Sequence, residues 1–227
     1  MEKLFESREA ASVAAAERIH SALTNRLSRQ KGASVVVSGG TTPGRCLEEL
    51  AHLDTDWHRV HVLLSDERWV PANDDNSNER LVRETLLVNG ASVARLQPLY
   101  SAEEGVAARC ASLDAEIRAL PFPFACSLLG MGADGHFASL FPDAQNLSEG
   151  LDVDSSKLCI PVTTAASPHP RISLTLAALS RSDEIVLLFF GEDKLKVYQD
   201  AKQQTNGYPV SRLLRQKRAP VRVYWAP

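Results

Sequence analysis

Ser34-Val-Val-Val-Ser38, running straight into Gly39-Gly40-Thr41-Thr42-Pro43-Gly44, is a short β-branched run stopped by a glycine pair and a proline. Apolar through its middle rather than alternating, it reads as a strand buried on both faces, as strands of parallel sheets are. Ahead of it a helical stretch opens at Ser7, carries Val13, Ala16, Leu23 and Leu27 at helical spacing, and ends near Gly32. Behind it Pro43 suits the first turn of a helix predicted over 45–50.

The same alternation continues outward. Val60-His-Val-Leu-Leu64 is the next strand, and helices are predicted over 78–88 and 103–120. In the second of these, Val106, Cys110, Leu113, Ile117 and Leu120 recur in steps of four and three. Ala125-Cys-Ser-Leu-Leu129, Leu158-Cys-Ile160, the segment 184–190 and Val221-Arg-Val-Tyr224 follow as strands, and the later ones are separated by helical stretches over 171–179 and 194–202. Apolar strands separated by helices imply a doubly wound α/β fold, with a mostly parallel sheet of about six strands and helices on both faces, in a Rossmann-like arrangement. No linker, repeat or low-complexity tract interrupts the chain, so one domain over residues 1–227 is expected.

Composition narrows the function. The 227 residues carry 25 basic and 28 acidic side chains, a formal charge of −3, which disfavours nucleic-acid and membrane-surface partners. No apolar run approaches the roughly 18 residues of a membrane span, and the charged N-terminus lacks a signal-peptide core. Cys46, Cys110, Cys126 and Cys159 are far apart and form no CxxC pair, as expected of reduced thiols in a cytoplasmic protein.

In parallel sheets ligands bind in the loops past the carboxyl ends of the strands, and these loops hold the unusual residues. In the first, Gly39 and Gly40 let backbone amides converge while Ser38, Thr41 and Thr42 add hydroxyls, a cradle for an anion. It lacks the Gly-Lys-Ser/Thr ending of a nucleotide loop. The second, Ser65-Asp-Glu-Arg-Trp-Val-Pro71, places Asp66 and Arg68 directly behind a strand, either as a surface pair or at the ligand edge. Downstream, Asp74, Asn76 and Asn78 mimic a calcium loop, but Glu79 stands where glycine is required and Thr85 where a bidentate acid is. A polar loop ending in a helix cap is the better reading.

The third loop, GMGADGHFASLFP from Gly130 to Pro142, contains G-x-G-x-x-G without the long helix that a dinucleotide site needs. Its glycines instead present Asp134 and His136 together, a carboxylate able to set the tautomer of a general base. In the fourth, Arg171 falls in the first turn of a predicted helix, where a cation opposes the dipole. A bound phosphate would compensate, though local reasoning leaves a solvated arginine equally open. The fifth places Lys194 after the strongest strand, a phosphate contact only jointly with the others. Arg212, Arg215, Lys217 and Arg218 sit near a helix end, where cations suit the dipole, and receive no function. Neither a metal-ligand spacing nor a G-x-S-x-G elbow is present in the sequence.

Taken in order, SGGTTPG, SDERWVP with Ser77-Asn78 downstream, GMGADGHFASLFP, PHPRISLT and GEDK resemble the motifs of the 6-phosphogluconolactonases. GMGADGHFASLFP is the most specific of them, whereas SGGTTPG is shared with a wider superfamily that includes the glucosamine-6-phosphate deaminases. In the deaminases a glutamate precedes the proline of the third loop. Phe141 occupies that place here and cannot move protons, which disfavours the deaminase reading. Phe137 stands where the lactonases often have threonine.

The resemblance implies hydrolysis of 6-phospho-D-glucono-1,5-lactone, a phosphosugar lactone, in the oxidative pentose phosphate pathway, with no cofactor or metal. A monomer is expected. His136 would be the general base, oriented by Asp134, with Arg68 on the oxyanion or the sugar hydroxyls. Ser38, Gly39, Gly40, Thr41, Thr42, Arg171 and Lys194 would hold the phosphate, and Asp66 would line the substrate. A non-catalytic sugar-phosphate sensor is the alternative of another class.

Overall fold

Runs of valine, isoleucine and leucine that cannot satisfy their backbone alone pair laterally once both faces are covered by helices. The computed structural model describes residues 1–203 and 207–227. In chain order its elements are β1 (Glu2–Leu4), α1 (Arg8–Leu27), β2 (Ala33–Val37), α2 (Gly44–His52), β3 (Val60–Leu64), β4 (Asp66–Arg68), α3 (Asn78–Thr85), β5 (Arg95–Gln97) and α4 (Val106–Arg118). There follow β6 (Cys126–Leu129), α5 (Leu147–Gly150), β7 (Cys159–Val162), β8 (Arg171–Leu174), α6 (Leu176–Leu179), β9 (Ile185–Phe190), α7 (Glu192–Gln203), α8 (Pro209–Arg215) and β10 (Val221–Ala226).

Seven strands form one parallel sheet in the order β1-β10-β9-β6-β2-β3-β5. Every residue of β2 is buried. Each fully buried valine there contributes about 1.5–3 kcal/mol by leaving water, so this strand anchors the sheet. Ser7 caps α1 by accepting from the amide of Ala10, and the helix buries Ala11, Ala15, Ile19 and Leu23 against the sheet and α2. No helix among the described residues is long and apolar enough to cross a membrane. All four cysteines are buried and free.

The sheet gains β1 and β5, three residues each, which show no periodicity and exist only by pairing at its edges, and it lacks one strand expected in it. Two further expectations are corrected. The strand at 159–162 does not join the main sheet; it pairs antiparallel with β8, which pairs antiparallel with β4, in a separate three-stranded sheet. The helix over 171–179 is likewise mostly strand: Arg171–Leu174 is β8, and only Leu176–Leu179 is helical, capped by Thr175. Ladder bonds from both neighbours override the helical spacing there. The helix from Asn78 stops at Thr85, and the one expected over 103–120 spans Val106–Arg118.

The chain winds outward from β2 through β3 to β5, and on the other side of β2 through β6 and β9 to β10. The winding direction therefore reverses between β2 and β6. A crevice opens at such a point, past the carboxyl ends of the strands.

Candidate active site

A cleft of about 520 Å³ occupies that crevice. Its walls come from the loop after β2, from β4, from the loop after β6, from β8 and from the start of α7. Ser38, Gly39, Gly40, Thr41, Thr42, Asp66, Arg68, Asp134, His136, Arg171 and Lys194 all line it, so every residue singled out from the sequence reaches one cavity. A cavity of about 700 Å³ lies at the amino ends of β9 and β10, but three of its four arginines are held by its two carboxylates. Arg18 and Arg222 hold Glu184 there, and Arg26 holds Asp183.

The loop after β6 turns back on itself through bonds from the Gly132 amide to the His136 carbonyl (2.9 Å) and from the Gly135 amide to the Gly132 carbonyl (3.1 Å). A Cβ on residue 132 would lie 2.3 Å from Cε1 and Nδ1 of His136, so only glycine leaves room for the ring. Nδ1 of His136 donates to Oδ1 of Asp134 at 2.6 Å, which places the proton on Nδ1 and leaves the lone pair on Nε2. The ring is 28% exposed, and Nε2 has no hydrogen-bond partner among the described residues. Burial pushes the Asp134 carboxyl up, but hydrogen bonds and charge from His136 outweigh it and hold it below the ordinary aspartate value.

Phe141, at the place an acid would need, is buried with its ring centroid 4.1 Å from that of His136. The guanidinium carbon of Arg171 lies 5.3 Å from the same ring. Arg171 also donates from NH1 to Ser139 Oγ (3.2 Å) and stands 3.6 Å from Oδ2 of Asp66. Its Nε is buried without a hydrogen-bond partner. Such an orphaned donor costs about 1–3 kcal/mol, which an acceptor on a bound anion would offset. Burial lowers the pKa of this guanidinium, with Asp66 opposing, yet it remains a cation at neutral pH. Arg171 therefore reaches the cleft from a strand, and the helix-dipole argument for it does not apply.

Asp66 and Arg68 do not pair with one another. Asp66 is buried and accepts from Ser65 Oγ (2.8 Å) and Ser139 Oγ (2.5 Å). Arg68 donates to Oδ1 of Asn78 (2.5 Å) and to the carbonyl of Asn76 (3.1 Å). Ser38 is the other adjustment. Its hydroxyl is turned inward, bonded to Ser65 Oγ and the Leu128 carbonyl at 2.9 Å each, so Thr41 and Thr42 carry the uncommitted hydroxyls of that loop. Lys194 is half-buried, and burial lowers its pKa, followed by the charge of Arg8, with Asp134 opposing.

Three residues that shape the site fall within the quoted stretches of sequence but are given no role there. Asn78, the first residue of α3, binds Arg68 and donates to the Asp66 carbonyl (2.9 Å). It packs so closely on Gly39 that a Cβ there would lie 1.9 Å from its Oδ1. Glu67 accepts from the amides of Arg68 (2.8 Å), Asn78 and Glu79 (2.7 Å each) and from Ser77 Oγ (3.0 Å), tying β4 to the start of α3. Burial pushes its carboxyl up and these bonds oppose that. The third is Ser139, fully buried between Asp66 and Arg171. In the sequence the Ser77-Asn78 pair is read within a polar loop ending in a helix cap and as part of the family motifs, and Ser77 does cap α3.

A parallel α/β sheet carrying an imidazole–carboxylate pair and a cationic wall at its switch point is an arrangement able to move a proton beside an anion. Over residues 6–225 the chain matches the family described as glucosamine-6-phosphate isomerases/6-phosphogluconolactonase. The chain belongs to that family. It is 43% identical over 224 residues to a 6-phosphogluconolactonase of Caulobacter vibrioides, covering 98% of this chain and 95% of the relative. With that of Mesorhizobium japonicum it shares 41% over 223 residues, covering 98% and 94%. The crystal structure of a 6-phosphogluconolactonase from Shewanella baltica superposes with a TM-score of 0.94 at 36% identity, covering 100% of this chain and 97% of the other.

Proposed function

We propose that this chain hydrolyses 6-phospho-D-glucono-1,5-lactone to 6-phosphogluconate, in the second step of the oxidative pentose phosphate pathway. One observation carries the reading: a single imidazole, its Nδ1 held by Asp134, opens on a cleft that also presents Arg68, Arg171, Lys194 and the hydroxyls of Thr41 and Thr42. The names of the full-length relatives support the substrate.

His136 Nε2 takes a proton from water as the oxygen attacks the lactone carbonyl carbon. The tetrahedral intermediate then expels the ring oxygen, which receives the proton from the imidazolium as the carbon–oxygen bond breaks. A positioned base contributes roughly 10²–10⁴ in rate and an oxyanion donor roughly 10²–10³, enough for an already reactive ester. Arg68, steadied by Asn78, faces the developing oxyanion or the sugar hydroxyls. Arg171 and Lys194, with Thr41, Thr42 and the amides of the Gly39-Gly40 turn, hold the phosphate. That remote charge fixes the ring over the base. Asp66 and Ser38 line the cleft and act through their hydroxyl neighbours.

Phe141 beside His136 leaves this part of the cleft without the second acid that sugar-ring opening by a deaminase requires. The chain acts as one domain over residues 1–227 and as a monomer in the cytoplasm. The test is an assay with freshly generated lactone, corrected for spontaneous opening, beside an assay for ammonia release from glucosamine 6-phosphate. Lactone turnover without ammonia is expected. Ammonia release, or no turnover of either compound, would overturn the reading.

A further inference from the structure

Behind the phosphate end of the cleft lies a second cavity, of about 690 Å³, that shares Thr41, Thr42 and Lys194 with it and adds Arg8, Glu9, Ser12, Arg45 and Phe190. The shared residues form a partition open to both sides. Of the cations bordering this second cavity, Arg45 is committed to Glu9, Glu48 and Glu49. Arg8 is not. Its Nε donates to the main-chain oxygen of Pro227, the last residue of the sequence, at 3.0 Å, and its guanidinium carbon lies 5.6 Å from the centroid of the Phe190 ring. These contacts fix the head group and leave both terminal nitrogens without a hydrogen-bond partner among the described residues. Neither Arg8 nor Lys194 is ion-paired with an aspartate or glutamate among those residues.

Arg8 also opens α1, where a cation opposes the helix dipole. Its charge adds to the burial that lowers the pKa of Lys194. Two like charges brought to one wall repel each other, and an anion between them reverses the sign of that interaction. A guanidinium with two free terminal nitrogens suits a phosphate oxygen pair in particular.

We propose that Arg8 is the outer cation of the phosphate site, so that a phosphate monoester dianion sits between Lys194 and Arg8 beside Thr41 and Thr42. The inference rests on the lactonase reading of the cleft and extends its phosphate end into the second cavity. It assigns binding to a side chain from the first turn of the first helix, far in sequence from the loops that carry the motifs.

The experiment compares Arg8→Ala, Arg8→Lys, Arg8→Gln and Lys194→Ala in the full-length protein. It reads KM for the lactone, competitive inhibition by inorganic phosphate, and Tm. Arg8→Ala should raise KM and weaken phosphate inhibition about tenfold, the size of one charged hydrogen bond, with the loss falling on KM. Arg8→Lys should recover part of it, and Arg8→Gln should recover none. The inference is overturned if Arg8→Ala and Arg8→Gln leave KM and phosphate inhibition at wild-type values while Lys194→Ala weakens both. It is also overturned if Arg8→Ala lowers Tm and Arg8→Gln, which can still donate to Pro227, restores Tm and KM together; Arg8 is then a structural tie. Failure of Lys194→Ala to alter phosphate inhibition would instead bring down the reading of the cleft itself.

Discussion

The ring of Phe141 lies 4.1 Å, centroid to centroid, from the imidazole of His136. The same ring meets the guanidinium of Arg171, so one buried aromatic side chain sets the spacing between the proposed base and a proposed phosphate contact. Aromatic and cation–π contacts of this kind contribute about 0.5–1.5 kcal/mol each. Phe141→Leu keeps the apolar fill and loses both contacts. It should lower kcat and raise KM by roughly three- to tenfold each, read by steady-state kinetics beside an unchanged circular dichroism spectrum.

His136→Ala should lower kcat by roughly 10²–10⁴. The affinity for 6-phosphogluconate, measured by calorimetry, should stay near the wild-type value because the phosphate contacts are intact. A mutant with undiminished kcat would remove His136 as the base. Asp134→Asn should also lower kcat, since an amide no longer fixes the proton on Nδ1.

The same aspartate predicts a stability effect with a definite sign. Its folded-state pKa lies below the unfolded value, so its contribution is present above the unfolded pKa and is lost as pH falls through the folded one. Tm measured against pH should therefore fall less steeply on the acid side in Asp134→Asn than in the wild type.

Arg171→Ala should raise KM and spare most of kcat. Ser139 holds Arg171 and Asp66 together, and Ser139→Ala should do the same more weakly, by a few-fold. If Ser139 acts through Arg171, adding Ser139→Ala to Arg171→Ala should cost nothing further in KM. Additive losses in that double-mutant cycle would mean that the serine acts elsewhere.

Lys194 has a lowered pKa, so binding of 6-phosphogluconate should weaken on the alkaline side before the ordinary lysine value of about 10.4. Arginine does not titrate in this range. In Lys194→Arg the alkaline loss should move to higher pH, which calorimetric titrations between neutral and alkaline buffers would show.

Much of this arrangement was legible along the chain because its signals are local. Val35, Val36 and Val37 announce a strand covered on both faces, and the glycines around Asp134 and His136 announce a loop that presents two side chains at once. Because parallel strands share one direction, the loops after them converge on one edge, and eleven residues far apart in sequence could be assigned to one place.

Other features depend on partners that the local sequence does not contain. β1, β4 and β5 are three residues long and are strands only because a neighbour supplies the hydrogen bonds. Arg171 sits on β8 because β4 and β7 capture a stretch whose spacing also suits a helix. The inward turn of the Ser38 hydroxyl and the bridge from Asn78 to Arg68 are set by groups up to 90 residues away.

Periodicity and turn chemistry, written in consecutive residues, thus determined the central strands, most of their covering helices and the edge at which the cleft opens. Which donors remain uncommitted there, and which cations stand together, was decided only by packing. A hydrogen bond or an electrostatic field depends on distance in space, and separation along the chain carries no record of it.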